Sequence, residues 1–428
     1  MSLREHASPL RVANFRYFFL GEVVNTAGSS MSGIALAFAV LRIDDSPTAL
    51  GLVVAAATVP MVAFMLIGGA LADRLPRALV LRGCNLVQGV VQAIVATLVL
   101  TGVAEIWHLV ALSFVTGTVF AVSYPAFHGM VPVLLSPEER KSGFLLIGQS
   151  DALLRIAGPV LSGILVATVG PGWALAVDAA TYVVAAAFLS LVRLPFGERP
   201  ERQTSVIGDF VVGWSFARQL GWVIPASCCA LVFNALRSGS IGVLGPTIAD
   251  DTIGSQGWGL AVSGQAIGLF VATLVLVKIT IHRPMRVIMI GFAVMAAPML
   301  LLGTWVNTYA LVVAFFVAGA ASSVLGLAWN LTVQEKVPEQ MLSRIMAIDG
   351  FFSFVAMPIG QVLVGPLSAQ FGIRGVELGA FAISILVMLV GLSIPAVNNL
   401  RLVGPAAKAS PGEDAPAIGE PDRASDAT

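Results

Sequence analysis

Charge is what this chain has least of. Asp, Glu, Lys and Arg make up 11% of its 428 residues, against 57% hydrophobic residues. A soluble protein needs roughly a quarter of its residues charged to cover its surface. With a mean hydropathy of +0.90, a water-soluble globule is excluded. Histidine and cysteine are also scarce. His6, His108, His128 and His282 are scattered, and no two have metal-ligand spacing. Cys84, Cys228 and Cys229 fall in or near apolar segments, which suits neither a disulfide framework nor a metal site. No GxxxxGK[ST] loop occurs, so ATP does not drive this chain directly. No nucleophile–base pair stands out. Neither an enzyme nor a cofactor or metal is expected.

What is abundant is long apolar segments. About 20 apolar residues cross the hydrocarbon core as a helix. Such stretches run near residues 15–41, 48–72, 79–102, 106–131, 143–169 and 172–192. After a polar interval, six more lie near 221–247, 256–280, 284–304, 308–333, 343–369 and 373–395. Lipid offers no partner to unpaired backbone groups, so these must be helices. They are too long and too uniformly apolar for the alternating strands of an outer-membrane barrel. The expected fold class is all-α integral membrane, with about 12 transmembrane helices in two six-helix bundles.

The basic residues fall in alternate loops. Twenty of the 24 lie before the first span, in every second loop, or in the tail. Only Arg42 and Arg374 fall in the opposite loops, and Arg155 and Arg237 lie within spans. The positive-inside rule therefore places both termini in the cytoplasm. The first span is too long for a cleavable signal peptide and lacks a small-residue cleavage site after it.

The two sets of six resemble each other. Phe114-Val115-Thr116-Gly117 in the fourth span matches Phe316-Val317-Ala318-Gly319 in the tenth. Pro137-Glu138-Glu139 follows the first and Pro338-Glu339-Gln340 the second. Asp151 before Gly158-Pro159 is matched to Asp349 before Met357-Pro358. The same order recurs at offsets near 200 residues, so duplication is expected. Residues 1–194 then form an N-terminal bundle and 220–400 a C-terminal one. The interval 195–219 is a linker whose part from Val206 to Phe216 suits a short amphipathic helix. Residues 401–428 are rich in Pro, Ala, Gly and acids and read as a disordered cytoplasmic tail.

The second loop reads Gly69-Ala70-Leu71-Ala72-Asp73-Arg74-Leu75-Pro76-Arg77. In that loop of a 12-span chain, it resembles the signature loop of the major facilitator superfamily. The resemblance covers about residues 10–400. Within the superfamily it is most similar to the branch of drug:proton antiporters that includes macrolide and siderophore exporters. Asn14-Phe15-Arg16, the run Gly21-Glu22-Val23-Val24-Asn25 and the Pro137–Lys141 loop fit that branch. The resemblance implies a secondary active transporter, with a site between two parallel repeats and alternating access by rocking. It implies a conformational latch at Gly69, Asp73, Arg74 and Arg77. Gly69 allows close helix approach, Asp73 faces a helix N-terminus near Ser343, and the arginines bridge acids across the cytoplasmic face. A second reading makes Arg74 and Arg77 topology anchors alone.

The chain departs from the family pattern in places. Pro76 replaces the signature's second glycine, and Ile281 stands where the C-terminal copy would hold an acid. Ser113 occupies the position of an arginine common in related antiporters. Gly158-Pro159-Val160-Leu161-Ser162-Gly163 resembles the antiporter motif G-P-x-x-G-G, with Ser162 in place of a glycine. The motif residues Gly158, Pro159 and Gly163 favour antiport over symport.

A charge at the centre of a membrane helix costs roughly 2.5–3.5 kcal/mol on insertion scales, so such groups are usually functional or paired. The proton-coupling candidates are Glu22, Asp151, Arg155 and Arg237. Asp151 and Arg155 are four residues apart and can pair on one helix face, as coupling groups or to lower insertion cost. Asp178 lies close to the outer end of its short span, where it would face water. Glu22 is the preferred proton-binding acid, and Arg237 would attract an anionic substrate or reset Glu22. Substrate-cavity candidates are Asn25, Tyr124, Gln149, Asn234, Gln265 and Phe354, with helix–helix contact the alternative for each. The branch implies efflux of amphipathic small molecules across a bacterial plasma membrane. Proton-coupled uptake, lipid or metabolite transport, and a transport-inactive sensor stay open. The expected partners are a small-molecule substrate, protons and the lipid bilayer, without nucleic acid, for a monomer.

Overall fold

A computed structural model describes residues 8–72, 76–193, 206–276 and 281–402, with only the backbone for 65–72 and 206–210. Twelve helices are long and apolar enough to cross a membrane, and no strand occurs among the described residues. Spans 1–6 run Ala13–Ile43, Pro47–Ala72, Arg77–Thr101, Ile106–His128, Pro137–Thr168 and Pro171–Ser190. Spans 7–12 run Val223–Asp250, Gly254–Leu276, Pro284–Thr304, Thr308–Lys336, Glu339–Phe371 and Ile373–Ser393. The fifth begins six residues before its apolar stretch, because Pro137 at its first turn fits a helix start. Several of the described connections turn at a glycine with positive φ. Gly102 closes span 3 at φ 73°, and Gly170 turns the chain at φ 96° directly before Pro171.

Three spans of the second half are interrupted. Span 7 passes through a π-helical segment, Ser240–Leu244, before continuing as Gly245–Asp250. Span 9 breaks at Ala296, before Pro298. Span 11 breaks at Ala356, before Pro358. A proline without an N–H cannot complete the ladder behind it, which accounts for a break at each place.

Three apolar cores show how the halves meet. One draws on both: Ala35, Leu50, Leu109 and Leu175 join Leu244, Trp258, Leu311 and Phe315. All of these sit at the helix ends remote from the termini. The other two cores lie toward the terminal face. One, around Phe15, Phe18, Met130 and Leu189, belongs to the first half. The other, around Phe233, Met285, Phe292 and Ile345, belongs to the second. Among the described residues, the halves therefore share a buried apolar core at the face opposite the termini.

Backbone crossings of the first half recur in the second. A Cβ on Gly117 of span 4 would collide with the Ala57 carbonyl of span 2, and one on Gly319 of span 10 with the Gln265 carbonyl of span 8. Between the halves, Gly163 fits against Ser255 as Gly365 fits against Thr48. Likewise Gly259 fits against the Pro159 carbonyl as Gly51 fits against that of Gln361. Positions in spans 4 and 5 thus correspond to positions 202 residues later, as in Gly117 and Gly319 or Gly163 and Gly365. This register corrects one sequence match. Gly158 corresponds to Gly360, so Asp151 corresponds to Ser353, and Asp349 lies one turn earlier.

The linker carries a helix, Val206–Gln219. Trp214 on it stacks on Phe352 of span 11 with ring centroids 5.9 Å apart, fastening the linker to the second half.

Candidate functional site

Two cavities adjoin inside the bundle. The first, about 560 Å³, lies within the first half. Glu22, Asn25, Tyr124, Asp151, Arg155 and Tyr182 are among its lining residues. The second, about 720 Å³, lies between the halves and is lined by spans 1, 2, 5, 7 and 8, with Pro159 and Gln265 on its wall. Thr26, Ser29 and Arg155 line both, so the two spaces meet at these three residues.

Glu22 lies between two and three turns into span 1, on the terminal side of the cavity. The Thr26 hydroxyl donates to its Oε1 at 3.2 Å, one turn along the same helix. Asp151 and Arg155 of span 5 lie within electrostatic reach. These two are themselves paired, Arg155 Nε to Asp151 Oδ2, at 2.8 Å. Their side chains are 69% and 39% exposed, so the pair faces open space and is not a core brace. Spans 1 and 5 thus bring two carboxyls to the wall of the first cavity and one guanidinium to the junction of the two. Tyr124 and Phe120 of span 4 supply an aromatic wall, with His128 edge-on to Tyr124 at 4.5 Å.

Span 6 adds groups that spacing alone did not reveal. Asp178 does not face water: it is 1% exposed. It packs against Gly28 of span 1, where a Cβ would collide with Thr181 and Asp178. Ser32, Thr181 and Gln92 surround it, yet its Oδ1 has no hydrogen-bond partner among the described residues. The expectation failed because span 1 covers Asp178, and coverage by a neighbouring helix cannot be read from distance to a span end. Tyr182, one turn further, lies within electrostatic reach of both Asp178 and Glu22. A tyrosine four residues after an intramembrane acid was the available signal.

Other expected residues fall elsewhere. Arg237, Gln149, Asn234 and Phe354 line neither cavity. Gln149 and Phe354 are exposed, and Asn234 is half-buried. The side chain of half-buried Arg237 makes no hydrogen bond or ion pair among the described residues, and neither does that of Asp349. Of the signature loop, Asp73 and Arg74 lie outside the described residues, and Gly69 is described by backbone alone. Arg77 donates from Nη1 to the Gly129 carbonyl at 2.7 Å, within its own half.

The Gly158–Gly163 motif lies on contact surfaces. Gly158 fits against Ser30 of span 1, while Pro159 and Gly163 meet span 8. Ser162, the departure from the motif, donates its hydroxyl to the Met31 carbonyl at 2.7 Å and is fully buried. The serine thus makes a buried hydrogen bond that a glycine could not. At the start of span 1 the Asn14 amide donates to the Arg193 carbonyl at 2.8 Å and its oxygen accepts from the Arg193 N–H at 3.2 Å. That exchange ties the first span to the end of the sixth. No group of metal-ligating side chains occurs among the described residues.

Comparison with known proteins agrees with this architecture. A family described as "Transmembrane secretion effector" matches residues 5–413. The multidrug efflux pump Tap of Mycolicibacterium fortuitum is 22% identical, over 88% of this chain and 94% of that protein. Macrolide efflux protein A of Streptococcus pyogenes is 21% identical, over 90% of this chain and 96% of the other. Among solved structures, a bacterial homologue of the iron transporter ferroportin in an inward-facing state superposes with a TM-score of 0.68. Its identity is 15%, over 91% of this chain and 99% of that one. The nucleoside transporter NupG also gives 0.68, at 12% identity over 90% and 99%.

Proposed function

This chain belongs to the transmembrane secretion effector family of major facilitator transporters, and from that premise we propose that it is a proton-coupled exporter of amphipathic small molecules. The observation that carries the reading is the placement of Glu22. It is an acid on the wall of a cavity that meets the space between two halves, which among the described residues share their buried apolar core at the ends remote from the termini. Alternating access follows by rocking of residues 1–194 against 220–400, with 195–219 as the joint. With both termini in the cytoplasm, as the arginine distribution favours, the conformation described here is inward-facing.

Glu22 is the coupling acid. Loaded with a proton from outside, it releases it when the cavity faces the cytoplasm and Arg155 and water favour the carboxylate. The aromatic wall takes the apolar part of a substrate, and the polar junction at Thr26, Ser29 and Arg155 takes its polar part. Efflux is supported by the relatives, a multidrug pump and a macrolide exporter, at about one-fifth identity. In the signature loop, Asp73 and Arg74 form the latch when the terminal face closes. Arg77, held by Gly129 in this conformation, would exchange that partner.

The test is transport in inverted membrane vesicles under an imposed proton gradient, with a panel of fluorescent amphipathic dyes and antibiotics. Gradient-dependent accumulation that Glu22→Gln abolishes is the expected result. Accumulation unaffected by collapsing the gradient would refute proton coupling. Gradient-driven release from the vesicles would reverse the assigned direction.

A further inference from the structure

A buried acid of the second half takes no part in the site above. Glu377 lies in the first turns of span 12 and is 0% exposed. Its Oε2 accepts the Ser240 hydroxyl at 2.5 Å, and its Oε1 has no partner among the described residues. Gly303 of span 9 lies beside it, a Cβ there falling 3.3 Å from Glu377 Cβ. A carboxyl enclosed within a membrane helix bundle is costly to place, and such groups are usually functional or paired.

Ser240 is the first residue of the π-helical segment of span 7, and its carbonyl accepts from the Gly245 N–H. Pro246 follows and has no N–H to return to Gly242, so the local sequence leaves the widened turn without an α-helical bond. Such segments are rare and concentrate at functional positions. This one has two sides. One carries the bond to Glu377 inside the second half. The other reaches the first half: Val243 and Leu244 are buried in the core the halves share, and Val243 lies beside Gly51 of span 2. Ile241, Gly242 and Pro246 line the cavity between the halves.

We propose that Glu377 is a positioning residue for transport, which through Ser240 holds the π segment of span 7 in the register that seals the face remote from the termini. Reversion of that segment to an α-helix shifts Ile241 to Gly245 by one position relative to span 2. Val243 and Leu244 then leave their places in the shared core, and that face is free to open. The bond to Glu377 therefore biases the protein toward the conformation described here. The inference rests on the alternating-access reading above.

The experiment uses Gly242→Cys as reporter, since a side chain at this position meets nothing within 4 Å and points toward the cavity. Intact cells are treated with a membrane-impermeant thiol reagent, and modification at position 242 is read by mass spectrometry with the native cysteines in place. Ser240→Ala in this background is expected to raise the rate of modification from outside by about two- to tenfold, the shift one net hydrogen bond supplies. Glu377→Leu should do the same. Glu377→Gln keeps an acceptor for Ser240 and should stay near the parent rate.

Parent rates for both Ser240→Ala and Glu377→Leu, at equal protein in the membrane, would overturn the proposal. Should the leucine variant fail to accumulate, Ser240→Ala alone decides. A glutamine variant as reactive as the leucine one would overturn the hydrogen bond as the cause. Failure of the underlying reading looks different: position 242 would never be modified from outside in any variant, although transport proceeds.

Discussion

Ser255 of span 8 donates its hydroxyl to the carbonyl of Gly163 on span 5 at 3.0 Å, so a backbone atom of one half is held by a side chain of the other. The contact requires helices close enough that a Cβ on Gly259 would collide with the Pro159 carbonyl. Gly259→Val should therefore force the halves apart at their sealed end. Overpacking of this kind costs about 1–3 kcal/mol, which translates into a loss of the sealed population of about five- to 150-fold. Disulfide crosslinking across spans 5 and 8 would report it as lower yield. Ser255→Ala removes only the hydrogen bond, about 0.5–1.5 kcal/mol, and should transport at a reduced but measurable rate. A wild-type crosslinking yield in Gly259→Val would show that the crossing accommodates the side chain without separating.

Glu22 supports a more direct test. Its Oε1 is held by Thr26, and a glutamine oxygen can accept the same hydrogen bond. Glu22→Gln should thus insert and fold normally, bind dye with an affinity within a few-fold of the parent, and lose gradient-driven transport by at least about 100-fold, the lower range for a lost proton-transfer group. Dye binding by fluorescence polarisation alongside vesicle transport separates the two effects. Retained pH-driven transport would remove Glu22 from coupling.

Arg155 tests whether the exposed pair is functional. Exposed ion pairs contribute about 0.2–1 kcal/mol to stability, and this one faces open space. Arg155→Gln should therefore leave the melting temperature within a few degrees of the parent. Its transport should fall severely, because the residue stands where the two cavities meet. Arg155→Lys keeps the charge and should recover part of the rate. A large loss of stability with proportional loss of transport would mark the pair as structural.

The fold was legible because lipid imposes it. Twelve apolar stretches and alternate basic loops define helices and their order without any tertiary knowledge. The repeat was legible in Phe-Val-x-Gly, since Gly117 and Gly319 both face a carbonyl at a crossing where no side chain fits. Its register in spans 5 and 11 was not, because paired acids mislead where close contact falls on glycines. Glu22, Asp151 and Arg155 stand out as charges in apolar helices, and three-dimensional contact adds Tyr182. Asp178 and Glu377 escaped for a shared reason. Each lies within two turns of a span end, where exposure to water is the ordinary expectation, and each is covered by helices far away in sequence.

The burial of Asp178 itself leads to a stability prediction. Gly28 lies where spans 1 and 6 come closest, and any Cβ there meets the Thr181 hydroxyl and Asp178. Gly28→Ala should lower stability by about 1–3 kcal/mol, as small-to-large changes at tight contacts do. Thr181 is the nearest obstacle, and it also donates to the Asp178 carbonyl at 2.7 Å. Thr181→Ala alone should cost about 0.5–1.5 kcal/mol for that bond. The double variant should then be more stable than the sum of the two losses, because the alanine methyl gains the space the hydroxyl leaves. Such non-additivity between touching residues is typically 0.5–3 kcal/mol, either way in sign. Thermal unfolding of the four proteins in detergent measures it. Strict additivity would mean that spans 1 and 6 move apart to admit the methyl group, and that Asp178 is not held as closely as its burial implies.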